Sequence, residues 1–299
     1  MRLISFYGEQ AIRTGRIDGD EVVVGGGRLD PTGRLGDEFE DAIGWVSTDP
    51  EVRVPLAGLE PAPIVLAPTK IVCVGLNYRD HAAEGGREAP ARPLLFAKFS
   101  NAIVGDGDPV VRPEGTHALD LEVELGVIIG RRARRVTRAA AMDHVAGYVV
   151  VNDISARDWQ GNPQALLEGE KGDGQWLRAK GSDTFLPMGS VLVGADEVDP
   201  AAGIRLRSWR IDGRGTEQLM QEGSTADMIH DVPALVAFIS AVITLEPGDV
   251  IATGTPSGVG VFRDPPIFLE PGDSVRCEIV GIGSVENPIV DWSDEDAEA

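Results

Sequence analysis

The chain has 299 residues, 42% of them hydrophobic, enough for a sizeable core and about two domains. Lys and Arg number 27 against 48 Asp and Glu, a formal charge of −21 that repels phosphate backbones and anionic headgroups. This argues against nucleic-acid partners and polybasic membrane attachment, and the apolar run at Leu235–Leu245 is too short to cross a bilayer.

Residues 1–8 hold no apolar run of signal-peptide length, so a cytoplasmic location is expected. Cys73 and Cys277 each lie in a strand-like apolar segment and read as buried thiols without a disulfide framework. Residues 11–17 and Glu21–Val24 flank Asp18-Gly19, a hairpin signal. Polar sequence follows, with short helical stretches expected within residues 37–46. Pro55, Pro61, Pro63 and Pro68 mark a connection. A small amino-terminal β-rich domain is therefore predicted over 1–68, a second domain over 69–292 and an acidic tail over 293–299.

Ile71–Leu76 is a continuous apolar run of strand length, and residues 77–84 can form a short helix ended by Gly85-Gly86. The two glycines would also let that helix move as a hinged lid. Leu119–Ile129 and Gly147–Ile154 read as further strands. Asp231-Val232-Pro233 opens the longest predicted helix, with Leu235, Val236, Phe238, Ile239, Val242 and Ile243 on its apolar face. Leu-Glu-Pro-Gly-Asp occurs at 245–249 and again at 269–273, a turn used twice.

Familiar motifs are missing: there is no G-x-S-x-G, H-E-x-x-H or Walker loop. The glycine-rich segment Gly254–Gly260 is as compatible with a tight turn as with an anion cradle. More informative is the run Asp120-Leu121-Glu122-Val123-Glu124. On a strand, Asp120, Glu122 and Glu124 would share one face. Such alternation also marks an ordinary solvent-facing strand. Here, however, the acidic face runs on into Gly126 and Ile128, and adjacent carboxylates repel one another. A divalent cation would compensate. Asp153, at the end of the apolar run Tyr148–Val151, could supply a third oxygen, although alone it reads equally as a cap. Three carboxylates suit a hard ion, Mg²⁺ or Mn²⁺ with Ca²⁺ as a substitute. Open positions on the ion could then chelate a keto acid.

His81 and Glu84, three apart on one helix, form a second constellation, either a general base with its orienting carboxylate or a surface pair. His117, His144 and His230 lack such a partner in sequence and are expected to be structural.

Together, residues 73–84 (CVGLNYRDHAAE), 96–98 (FAK), 122–130 (EVELGVIIG), 152–160 (NDISARDWQ), 179–185 (AKGSDTF) and 253–260 (TGTPSGVG) resemble the fumarylacetoacetate hydrolase family, over residues 69–292. The resemblance implies an α+β, predominantly β fold, a mixed β-sandwich roll with a variable amino-terminal domain, assembled as a homodimer. It implies Glu122, Glu124 and Asp153 as metal ligands and His81 with Glu84 as the dyad that activates water. It further implies Lys180 as a catalytic cation, and Arg157, Gln160, Lys98 and Thr255 as substrate contacts. The polar segment 161–175 departs from members with a shorter connection and is expected to be exposed beside the pocket.

The function so implied is metal-dependent hydrolysis of a carbon–carbon bond in a 3-acylpyruvate or related β-diketo acid, through an enolate stabilised at the ion. Two alternatives use nearly the same residues: decarboxylation of oxaloacetate, and isomerisation of an unsaturated acid of the carboxymethyl-hydroxymuconate type. A non-catalytic binder of small keto acids is a further alternative, against which His81 and Glu84 together argue.

Overall fold

Val123–Ile129 and Val145–Asn152 are built almost entirely of β-branched and small apolar residues. They pair antiparallel at the centre of the molecule, buried along their whole length. Such unbroken burial is expected of strands covered on both faces. In the computed structural model, which describes residues 1–8, 12–24 and 52–292, these two strands sit within a mixed sheet of ten strands among the described residues. Val250–Ala252 lies beside Val123–Ile129 and pairs in parallel with Ile71–Gly75, and Leu94–Lys98 forms the edge. Strands make up 39% of the structure against 18% helix, so the class is α+β with strands dominant.

A second sheet, ordered Glu217–Ser224, Arg205–Ile211, Ser274–Ile279, Gly283–Asp291 and Val110–Arg112, packs across the centre of the first. One continuous core joins them, with Val123, Leu125 and Val149 on one side and Leu206, Cys277, Val285 and Ile289 on the other. Both cysteines are buried and free. The amino-terminal hairpin, Ile12–Asp18 with Glu21–Val24, continues the large sheet through the pairing of Arg2–Tyr7 with Val191–Gly194. Beneath it, Ile4, Phe6, Val22 and Val24 form a small cluster of their own. The helical stretch expected within 37–46 and the acidic tail lie outside the described residues.

Two local expectations are corrected. Leu119–Ile129 is not one strand: Leu119–Asp120 pairs with Ser155–Ala156, and a new ladder begins at Val123. The break falls where Asn152 Oδ1 and Gln221 Oε1 accept the backbone N–H of Glu122 and Val123, replacing ladder partners with side chains. The long helix is only Val232–Ser240, capped by Asp231, so Leu235, Val236 and Ile239 are buried while Val242, beyond its end, is exposed. Phe238 also stays partly exposed. The two Leu-Glu-Pro-Gly-Asp segments do close alike: Asp249 accepts from Glu246 N–H, and Asp273 from Glu270 N–H.

Candidate active site

The three carboxylates come from two neighbouring strands. Glu122 and Glu124 lie at the start of Val123–Ile129, and Asp153 follows the end of Val145–Asn152, which the antiparallel register places opposite. Oxygens of all three lie within 4.8 Å of one another, and all three residues are buried. Asp120 does not join them. It accepts from Gly260 N–H (2.7 Å) and Val261 N–H (3.0 Å) and pairs with Arg157 Nε (2.9 Å), tying the glycine-rich segment to this corner.

Three buried cations answer the acids. Lys180 Nζ donates to Glu122 Oε2 (2.7 Å) and Asp153 Oδ2 (2.8 Å). Arg157 Nη2 donates to Glu122 Oε1 (2.6 Å). Lys98 Nζ stands 2.8 Å from Asp153 Oδ1, yet its three hydrogens go to the carbonyls of Ile154, Lys180 and Phe185. Asp153 Oδ1 is therefore charge-compensated but receives no hydrogen bond. Burial alone would raise the Glu122 carboxyl; the Arg157 and Lys180 charges override it and hold it well below the usual carboxylate range. Glu124 goes the other way, pushed well up by burial and then by the charges of Asp153 and Glu122. An all-oxygen donor set, with Asp153 Oδ1 receiving no hydrogen bond and Glu124 in no ion pair among the described residues, fits a hard divalent cation.

Beside this cluster lies a cavity of about 330 Å³, at the lower end for small-molecule sites, with Asp153 and Lys98 behind its wall. Glu122, Glu124, Arg157 and Lys180 line it together with His81, Gln160 and Thr255. His81 rides on Arg79–Glu84, a shorter helix than expected. Its Nδ1 is 2.6 Å from Glu84 Oε1, and Glu84 Oε2 accepts from Gly258 N–H (2.8 Å). A carboxylate oxygen can only accept, so Nδ1 carries a proton, and in the neutral ring the lone pair lies on Nε2. Asp80 adds bonds to Ser257 N–H and Oγ, so the helix is fastened to the glycine-rich segment at two points.

Gly85-Gly86 closes that helix and is not an open hinge. Arg87 N–H donates to Ala82 O (2.8 Å) and Gly86 N–H to Ala83 O (3.0 Å), with Gly86 at φ +65°, the left-handed closure that glycine favours. The same freedom serves Gly254, at φ +97°, where a Cβ would stand 2.7 Å from Asn77 Cβ. This close approach lets Gly254 N–H reach Glu124 Oε2 (2.8 Å).

Some expected substrate contacts are already engaged. The Thr255 hydroxyl donates to Val123 O and accepts from Gln221 Nε2, so it has no proton for a carboxylate. Arg157, which lines the cavity, spends three of its five N–H donors on Asp120, Glu122 and Gln160 Oε1 (3.2 Å), leaving one hydrogen on each terminal nitrogen. Lys98 stays outside the cavity, beneath Asp153. Residues 161–164 do border the cavity, and His117 pins their segment by bonding Ala165 O. Sequence reasoning missed Gln221, buried and bonded to Val123, Ser208, Thr255 and Pro256. It also missed the aromatic wall of Phe96, Trp176 and Phe262, and the rim residue Arg87. A lone Gln or Arg carries no spacing signal, so nothing in the chain singled these out.

A family model described as fumarylacetoacetate (FAA) hydrolase C-terminal matches residues 70–290, the segment that carries every one of these groups. The chain belongs to the fumarylacetoacetate hydrolase family. It is thus one of a family of enzymes that act on ketonic substances.

Within the family, the chain is 44% identical over 223 residues to the mitochondrial oxaloacetate tautomerase fahd2 of Xenopus laevis, covering 75% of this chain and 66% of that one. It is 43% identical over 226 residues to human mitochondrial oxaloacetate tautomerase FAHD2A, covering 76% and 68%. The match thus spans about two thirds of these relatives' length. Among solved structures, a 2-hydroxyhepta-2,4-diene-1,7-dioate isomerase from Mycobacterium marinum superposes with a TM-score of 0.76 at 36% identity, covering 98% of this chain and all of the other. A fumarylacetoacetate hydrolase from Exiguobacterium antarcticum gives 0.77 at 33%, with the same coverage. Among the described residues no helix is long and apolar enough to cross a membrane.

Proposed function

We propose that this family member catalyses proton transfer on a 2-oxo dicarboxylic acid, interconverting keto and enol forms of an oxaloacetate-like substrate. The observation that carries this reading is the shared cavity. His81, with a ring nitrogen that Glu84 does not engage, lines the same cavity as Glu122 and Glu124, two of the carboxylate trio suited to a divalent ion. The names of the relatives, two tautomerases and a dioate isomerase, lend further support.

Glu122, Glu124 and Asp153 would hold Mg²⁺ or Mn²⁺. When bound, the ion would supply Lewis-acid polarisation of the 2-oxo group and so acidify the neighbouring carbon. His81 Nε2 takes the proton from C3, the C–H electrons form the C2–C3 double bond as the C2=O π pair moves onto oxygen, and the proton is returned to that oxygen. Glu84 stabilises the transient imidazolium through Nδ1–H and fixes the ring's direction. Lys180 supplies positive charge beside the developing enolate while remaining tethered to Glu122 and Asp153. Phe96, Trp176 and Phe262 exclude water from that wall of the cavity.

The hydrolytic reading keeps a specific foothold, because the same His81 lone pair could take a proton from water attacking a 3-acylpyruvate. Supplying Mg²⁺ or Mn²⁺ and following the loss of enol absorbance in oxaloacetate, with product identification, separates the two. Accelerated ketonisation without release of pyruvate supports tautomerisation. Cleavage of an acylpyruvate to pyruvate and a carboxylate, with ketonisation unchanged, replaces it with hydrolysis.

A further inference from the structure

Every cation deep in the cavity is paired: Arg157 with Asp120 and Glu122, Lys180 with Glu122 and Asp153. Arg87 is different. It lines the same cavity and is exposed, and among the described residues its side chain makes no ion pair or hydrogen bond. Its backbone is nevertheless fixed, because Arg87 N–H closes the cap on Ala82 O of the helix that carries His81. The backbone that bears this guanidinium is thereby fixed at the mouth, just past the end of the helix that carries His81, with Glu122 and Glu124 at the buried end.

We infer that Arg87 is a specificity-determining residue that recognises the second carboxylate of a dicarboxylic substrate. The inference rests on the keto-acid reading above and deepens it. The 2-oxo acid head goes to the buried end, where Lys180 lies and Glu122 and Glu124 would help hold the ion. The tail must then end near the mouth, and Gln160, Asn162 and Gln164 offer only neutral groups there. A planar guanidinium matches a carboxylate with two parallel hydrogen bonds. Because the backbone of Arg87 and His81 belong to one closed helical unit, binding the distal carboxylate would also settle the base over the substrate.

The test compares two keto acids of equal length, 2-oxoglutarate and 2-oxopentanoate, which differ only in carboxylate against methyl at the far end. Calorimetric Kd values with Mn²⁺ present are measured for the natural protein, Arg87→Gln and Arg87→Lys. The natural protein should prefer 2-oxoglutarate, and Arg87→Gln should lose that preference by about 10- to 100-fold while binding 2-oxopentanoate unchanged. Arg87→Lys should restore part of it. Equal weakening of both ligands, or of neither, overturns the proposal. Since the measurement is of binding, it stands apart from the ketonisation assay: selectivity without ketonisation would retire the tautomerase reading and leave the role of Arg87 intact.

Discussion

Glu84 holds His81 with one carboxylate oxygen, 2.6 Å from Nδ1, while its other oxygen accepts from Gly258 N–H. The base is therefore aimed by the glycine-rich segment as much as by its own helix. His81→Ala should lower turnover by about 10²- to 10⁴-fold, the usual range for general-base catalysis, with Mn²⁺ affinity unchanged. Glu84→Gln should move turnover in the same direction by a smaller factor. Steady-state kinetics alongside a Mn²⁺ titration checks both, and a fall of only a few fold in His81→Ala removes the base from the mechanism.

Glu124 gives the metal-free protein a pH dependence of unusual sign. Burial and the charges of Asp153 and Glu122 raise its carboxyl well above the usual range. An acid raised in the folded state contributes stability that is complete below its unfolded value, about 4.3, and is lost as pH rises through the folded one. Chelator-treated protein should therefore lose Tm from this site as pH climbs above that value. Added Mn²⁺ should restore little Tm at about pH 5 and much more at about pH 8, because the ion needs the ionised carboxylate. Thermal melts across pH, with and without Mn²⁺, test this; a restoration independent of pH contradicts it.

Gly254→Ala would place a methyl 2.7 Å from Asn77 Cβ and 3.0 Å from Val74 O, at a φ of +97°. The backbone must shift, and the bond from Gly254 N–H to Glu124 is lost with it. A loss of about 1–3 kcal/mol is expected. Mn²⁺ affinity should fall in parallel, whereas a purely local strain would leave it alone. Urea denaturation and a Mn²⁺ titration distinguish these outcomes.

Gln221→Leu keeps the approximate volume but leaves Val123 N–H and Pro256 O, both buried, without partners. Each orphaned group costs about 1–3 kcal/mol, so a loss of at least about 2 kcal/mol is expected. Thr255 should then change its contacts, since its hydroxyl is held by Gln221. A variant as stable as the natural protein in urea would show that water replaces the amide.

The order of motifs along residues 73–260, with the E-x-E pair, Asp153 and the His–Glu spacing, made the family and the candidate site legible in the chain itself. Strand and helix periodicity are properties of neighbouring residues, so Glu122 beside Glu124 and His81 beside Glu84 could be read from spacing alone. The strand break before Val123 could not, because it is made by Asn152 and Gln221, distant in sequence. Nor could spacing tell a hydroxyl or fork that is free from one that is engaged. Thr255 and Arg157 have the chemistry to bind a substrate, and only the packing of Gln221, Asp120 and Glu122 around them shows that the Thr255 proton is taken and the Arg157 fork partly so. Arg87 is the converse case: an arginine outside the motifs, brought to the cavity just after the left-handed turn at Gly86 and without a side-chain partner among the described residues. Local chemistry is written in the order of residues, whereas the choice of which donors remain available is made where distant segments meet.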